Sequence, residues 1–118
     1  MEAAEAFSRA AGGGAAKAAQ EEVETAIPEL IRQVEEARFA EAVALGNRLL
    51  GASSLTSTQA VTIHKELGVA YVALERQDLG EAAFRAALAL QPNLELDTVR
   101  TSPRVLEAFN LAKQPIAP

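Results

Sequence analysis

The amino-acid sequence predicts an all-α protein of five helices. Three observations support this prediction. Apolar residues recur at spacings of three and four in several segments, the breaks between those segments carry capping and turn residues, and no segment has the pattern of a credible strand. At 118 residues, the chain has the length of one domain with one modest core.

The composition indicates how such a core is packed. Hydrophobic residues make up 49% of the chain, yet aromatic residues make up only 4% and tryptophan is absent. Ala, Leu and Val must therefore provide most of the packing. This suits helices that approach closely, because Ala is small and has the highest helix propensity.

The charge pattern and the missing residue types disfavour several functional classes. The net charge is −5 and the basic residues are scattered singly, so we expect no nucleic-acid binding. No apolar run reaches about 18 residues, so we expect no membrane span. Without cysteine the chain forms no disulfide and no Cys-based zinc site, and we expect no cofactor.

The N-terminus lacks the basic start and apolar core of a secretory signal. Cytoplasmic residence is therefore the default expectation. The alternative is the periplasm or cell envelope, if the N-terminus has been trimmed.

Three regions are predicted along the chain. Residues 1–20 are rich in Ala and carry three consecutive glycines, Gly12–Gly14, which favour a flexible N-terminal segment. The alternative is an amphipathic helix around Phe7 that docks on a partner. Residues 21–113 form the helical domain and residues 114–118 a tail.

Within the helical domain, Pro28 interrupts the first apolar stripe, so the better-formed first helix is predicted from about Pro28 to Ala37. A second helix follows at about Ala40 to Leu50. Gly51 then begins a break. The hydroxyl residues that continue this break are Ser53, Ser54, Thr56 and Ser57.

The third helix begins at a predicted capping box, Thr56 with Gln59, and continues to about Gln77. Asp78 with Glu81 predicts the same device for a fourth helix, which ends before Pro92. An extended segment is expected next. Its alternating apolar residues are Leu94, Leu96 and Val99.

The fifth helix, about Pro103 to Lys113, has a clear start signal. Ser102 supplies an N-cap hydroxyl and Pro103 occupies the first helical position.

Residues 61–93 resemble a tetratricopeptide repeat. Leu67, Gly68 and Tyr71 match the pattern of the first helix of that family. His64 departs from the usual tryptophan. The matches in the second helix are Gly80, Phe84, Ala87 and Pro92.

The resemblance implies a helix pair in which small Gly68 and Gly80 permit close approach, while Tyr71 and Phe84 fill the space between the helices. Pro92 stops the second helix.

The upstream pair, about Glu22 to Leu50, resembles a degenerate copy of the repeat. Phe39 and Ala42 fit its second helix, but Gly46 stands where a large aromatic residue is usual. The fold implied is a short tetratricopeptide-like α-solenoid of stacked antiparallel helix hairpins, with the fifth helix as a C-terminal cap. The segment Leu90 to Phe109 is also similar to the end of repeat domains in bacterial cell-envelope proteins.

No residue set predicts catalysis or a metal site. His64 is the single histidine and has no partner at ligand spacing. The adjacent glutamates, such as Glu35 and Glu36, point in different directions and solvate helix surfaces. We therefore expect a non-enzymatic protein.

The resemblance implies a partner-binding groove on the first helix of the repeat. Lys65 fits the family's clamp for a C-terminal carboxylate, but Val69 stands where its asparagine is expected. An apolar groove for an extended segment or helix is therefore favoured, and the alternative is that Val69 and Val72 only pack against a neighbouring helix. The predicted groove residues are Thr62, Lys65, Glu66, Val69, Val72 and Ala73.

The predicted function is a non-catalytic adaptor or scaffold that binds a protein or peptide partner. The alternative is a self-associating structural subunit of a larger assembly, because about three repeats are normally needed to bury the open ends of such an array. A third class, a small helical enzyme or ligand carrier, would need a closed cavity with convergent polar groups.

Overall fold

The fold is all-α, as the sequence predicts. A computed structural model describes the backbone of residues 2–52 and 54–114 and the side chains of residues 17–52 and 54–114. Within these ranges there is no strand. The five helices are α1 (Glu2–Glu35), α2 (Phe39–Leu50), α3 (Ser57–Ala73), α4 (Gln77–Leu90) and α5 (Pro103–Lys113).

Helix α1 is the largest departure from the sequence prediction. It is a single helix of 34 residues, so the predicted start near Pro28 is wrong. Pro28 removes one backbone hydrogen bond, but Val23 and Leu30 on either side are both buried. Their packing keeps the helix continuous, because tertiary contacts outweigh local propensity.

Residues 2–20 also have helical backbone, where the triple glycine predicted a flexible segment. Each interior glycine costs about 1 kcal/mol relative to alanine. The alanines on both sides of Gly12–Gly14 have the highest helix propensity, which favours continuity. The Phe7 side chain, Ser53 and the tail beyond Gln114 lie outside the described residues.

The capping predictions are confirmed at two of three sites. The Gln59 N–H donates to Thr56 Oγ1 at 3.1 Å, and the Thr56 N–H donates to Gln59 Oε1 at 3.0 Å, which completes the capping box. Ser102 Oγ accepts from the Val105 N–H. The predicted Asp78 box is wrong, because Arg76 is the N-cap residue of α4 and Asp78 already lies in the first turn.

The two helix hairpins share one turn geometry. Ala37 and Glu75, 38 residues apart, both have positive φ, at 62° and 66°. The residue after each of them donates its backbone N–H to a carbonyl five residues earlier in the preceding helix. The Arg38 N–H donates to the Gln33 carbonyl at 2.7 Å, and the Arg76 N–H donates to the Tyr71 carbonyl at 2.8 Å. The two hairpins are therefore structural repeats, joined by the same helix-terminating motif.

One core cluster joins α1, α2 and α3 and includes Ala83 of α4. Tyr71 packs at its edge, and its hydroxyl accepts a hydrogen bond from Asn47 Nδ2 on α2 at 3.0 Å. The largest buried side chains of this cluster are Val23, Leu30, Leu49, Ile63 and Leu67.

A second cluster joins α3, α4 and α5. Phe84 and Phe109 meet edge to face at its centre, with ring centroids 5.4 Å apart. Phe84 is fully buried here, whereas Tyr71 belongs to the other cluster. The expectation that Tyr71 and Phe84 fill the same space is therefore wrong, because they lie on opposite sides of α3.

The close approach of α3 and α4 is confirmed. A Cβ built on Gly68 would lie 2.5 Å from the Phe84 ring, and one built on Gly80 would lie 2.6 Å from Val72 Cγ2. Real Cβ atoms do not occur at such distances. Both positions therefore require glycine.

Gly46 is explained in the same way, since a Cβ there would lie 2.6 Å from the Leu67 side chain. With the 38-residue offset between the two turns, Leu30 corresponds to Gly68 and Gly46 to Phe84. The space at Gly46 is filled by Leu67 of the next hairpin.

Helix α5 runs parallel to α4. At its start, Arg104 contacts Glu75 beside the beginning of α4. Near its end, the Leu111 carbonyl accepts from Arg85 Nη2 at 3.4 Å. A third hairpin would begin with a helix antiparallel to α4, so α5 closes the second cluster instead of extending the array.

The connector, residues 91–102, carries the chain from the end of α4 back to the level of its start, so that α5 can run parallel to α4. Leu94 is buried and Leu96 packs against the second cluster, but Val99 is 91% exposed. The predicted packing of the extended segment therefore holds for its first half only.

We expect Phe84→Ala to lower the free energy of unfolding by about 3–5 kcal/mol, because a fully buried aromatic side chain leaves a cavity. Leu90→Ala on the same helix is the matched control, since Leu90 is 47% exposed. Urea titration followed by circular dichroism measures both. Equal effects of the two substitutions would contradict the packing described above.

We expect Ala37→Gly to raise the free energy of unfolding by about 1 kcal/mol, because it relieves a left-handed backbone conformation. Ala40→Gly, three residues later and exposed inside α2, should lower it by roughly 0.5–1 kcal/mol. Thermal unfolding of the two variants distinguishes these signs. A loss of stability in both would show that the turn at Ala37 is not strained.

Candidate functional site

An open cleft of about 480 Å³ lies between the end of α1, the second half of α3 and the start of α5. One wall comes from Glu35 on α1, and the opposite wall comes from residues 100–102 and Arg104. Aliphatic and aromatic side chains form the base between these walls. They are Val34, Phe39, Val69, Val72 and Val105.

Three of the six predicted groove residues line this cleft: Val69, Val72 and Ala73. Ala73 is exposed and Val69 is half-buried. Val72 is only 1% exposed and belongs to the second core cluster. For Val72, therefore, the alternative of packing against neighbouring helices holds.

The other three predicted residues do not line the cleft. Thr62 donates its hydroxyl to the Thr58 carbonyl at 3.1 Å within α3. Lys65 lies 4.0 Å from Glu66, and the Glu66 side chain is only 13% exposed. All three precede the last turns of α3, from which Val69, Val72 and Ala73 reach the cleft.

Burial raises the pKa of the Glu66 carboxyl above its ordinary value. Lys65 opposes this shift, while the negative charge of Glu35 adds to it. The Glu35 carboxylate, which lines the cleft, therefore lies close enough to Glu66 for the two negative charges to repel.

The opposite wall is a tight turn in the connector. Asp97 Oδ1 accepts from the Val99 N–H at 2.9 Å and from the Arg100 N–H at 3.3 Å. The Asp97 carbonyl accepts from the Thr101 N–H at 3.0 Å. These bonds fix the backbone that presents Arg100 to the cleft.

Sequence reasoning missed this wall, because helical periodicity places residues on one helix and gives no position to a connector. Ser102 and Pro103 predicted where α5 begins but carried no signal for its direction. The direction of α5 decides that residues 100–102 face α1.

Arg104 is already neutralised within the chain. Its two terminal nitrogens bind both carboxylate oxygens of Glu75, at 2.7 Å and 2.6 Å. This pairing lowers the pKa of Glu75. No ion pair among the described residues involves Arg100 or Glu35, so these two carry the uncompensated charges of the cleft.

A larger cleft, about 800 Å³, lies between α1 and α2 on another face. Four of its charged side chains are paired, since Glu22 lies 3.3 Å from Arg48 and Glu29 pairs with Arg32, while Glu21 has no ion-pair partner among the described residues. None of the predicted groove residues lines it. Its unpaired charge is therefore of one sign, whereas the smaller cleft has an unpaired charge of each sign.

The described residues contain no group of three or more His, Asp or Glu side chains placed to hold a metal ion. Burial lowers the pKa of His64, which is half-buried on α3. In this part of the chain, no helix is both long enough and apolar enough to cross a bilayer.

We expect Glu66→Gln to stabilise the protein above the pH at which Glu66 ionises. The pKa of Glu66 is higher in the folded than in the unfolded state, so ionisation of Glu66 lowers the free energy of unfolding as the pH rises through the folded-state pKa. The gain should disappear at acidic pH, where the carboxyl is protonated in both states. Urea titrations across pH measure this difference, with exposed Glu95→Gln as control; a gain that is the same at every pH would contradict the assignment.

Comparison of the chain with protein-family models, curated proteins and solved structures gives no match. Its resemblance to tetratricopeptide repeats therefore rests on its own residues. Among them, Gly68, Gly80 and Phe84 have contacts that account physically for their identity.

Proposed function

We propose that this chain is a non-catalytic, tetratricopeptide-like interaction module that holds a peptide segment or helix of a partner protein in the α1–α3–α5 cleft. The observation that carries this proposal is the base of the cleft. An apolar strip with half-buried Val69, Val34 and Phe39 remains open to solvent between two charged walls.

The shape of the cleft supports a macromolecular partner. Small-molecule sites usually enclose most of the ligand and direct several polar groups at it. Here the cleft is open, its base is apolar, and its polar groups lie on the walls. Apolar bases with polar rims are typical of protein interfaces.

The surface of α5 supports the role of this helix as a cap. Its outward stripe is polar, so it offers little to a further hairpin. The exposed residues of that stripe are Arg104, Glu107, Asn110 and Lys113. The two hairpins therefore form a short module, with the cleft as its open apolar surface.

The second candidate is a self-associating subunit. Helix α1 has 34 residues, whereas α2, which packs on it, has only 12. The first part of α1 therefore extends beyond its hairpin partner, and a lone helix is marginally stable in water. Pairing of this overhang with a second copy would stabilise it.

We expect Ala73→Arg to abolish partner capture, because the new side chain fills the cleft from an exposed position. Ala89→Arg is the matched control: it also lies near the end of a helix and is exposed, but it is outside the cleft. Immobilised wild-type and variant chains are compared by affinity capture and mass spectrometry, after circular dichroism verifies folding.

A protein retained by the wild type and by Ala89→Arg, but lost with Ala73→Arg, is the expected result. Identical capture by all three chains would refute the cleft as the binding surface. Light scattering at several concentrations separates the two candidates, since the self-associating subunit predicts a mass that rises with concentration.

A further inference from the structure

The cleft has opposite charges on its two walls. Glu35 lies on the α1 wall, and Arg100 lies on the connector wall. Both side chains are exposed, and neither is paired with another described residue. The apolar base lies between them.

Each wall is held in place by contacts that leave its charge available. On the connector wall, the turn at Asp97 fixes the Arg100 backbone, and the pair with Glu75 fixes Arg104 beside it. On the α1 wall, buried Leu30 and half-buried Val34 anchor the helix that carries Glu35. Arg100 and Glu35 are therefore the residues that can form ion pairs with a molecule bound in the cleft.

We propose that the occupant is a partner's peptide segment in which apolar side chains lie between an acidic residue, paired with Arg100, and a basic residue, paired with Glu35. This inference rests on the proposed function and specifies the chemistry of the partner. The apolar side chains cover Val69 and Phe39, and the two ion pairs set the direction in which the segment lies.

The roles of the two interactions follow from their energetics. Burial of the apolar base provides most of the affinity, because exposed ion pairs contribute little. The ion pairs determine selectivity and orientation, since opposite potentials favour one alignment over its reverse. Loss of one exposed pair should therefore weaken binding by about two- to fivefold, and the effect should shrink at high salt.

The test uses a phage-displayed library of random peptides, selected on the immobilised full chain after depletion on Ala73→Arg. Peptides that need the open cleft survive this depletion. The expected selected sequences carry an acidic and a basic residue on opposite sides of apolar positions. Fluorescence anisotropy then measures the affinity of one selected peptide.

Charge reversal sharpens this test. Arg100→Glu should select peptides in which the acidic residue becomes basic, and Glu35→Lys should select peptides in which the basic residue becomes acidic. Arg76→Glu is the control, because Arg76 is exposed outside the cleft and should leave the selection unchanged.

The outcomes separate this inference from the proposed function. The inference is overturned if the cleft-dependent peptides lack the charge pattern. It is also overturned if they carry the pattern but neither Arg100→Glu nor Glu35→Lys changes it. In both cases the proposed interaction module stands. Selection of no cleft-dependent peptide would overturn both. Self-association abolished by Ala73→Arg would make a second copy the occupant, which also overturns the inference.

Discussion

The close contact between α3 and α4 is the constraint on which the rest of the structure depends. Gly68 lies against the Phe84 ring and Gly80 against Val72, at distances that leave no room for a Cβ. The absence of two side chains brings the helix backbones together and places Phe84 at the centre of the second cluster. Phe109 then packs against Phe84, so the position of α5 follows from the same contact.

The two hairpins show how one backbone motif can hold different packing. Their turns have the same hydrogen bonds and the same positive φ, at Ala37 and Glu75. Their interiors differ, because Leu30 and Gly46 stand at the positions that correspond to Gly68 and Phe84, and Leu67 of α3 fills the space at Gly46. A close-packed core requires complementary volumes but does not prescribe which helix supplies the larger one. The upstream hairpin therefore looks degenerate in sequence while it keeps the geometry of the turn.

The reversed direction of α5 converts an array of hairpins into a module with a distinct cleft. The connector of residues 91–102 returns along the second cluster, with Leu94 buried, and brings Arg100 and Arg104 opposite the end of α1. The exposed Glu75–Arg104 pair lies beside the turn between α3 and α4, while the buried Val105 and Phe109 hold α5 in place. A helix that continued the array would have placed other residues at this position, and the charges across the cleft would differ.

The sequence alone determined what local chemistry controls: the helical class and the caps at Thr56 and Ser102, whereas the need for small residues at Gly68 and Gly80 was implied by the resemblance to tetratricopeptide repeats. Spacing, capping and side-chain volume act over a few residues, so they can be recognised without coordinates. Tertiary structure decided the continuity of α1 through Pro28, the separation of Tyr71 from Phe84, and the direction of α5. These depend on contacts between residues distant in the chain, and those contacts outweigh local propensity. The candidate site divides in a similar way. The resemblance to the repeat family implied Val69 and Ala73 as groove residues, whereas Arg100 lines the same cleft as Glu35 only because the connector folds back.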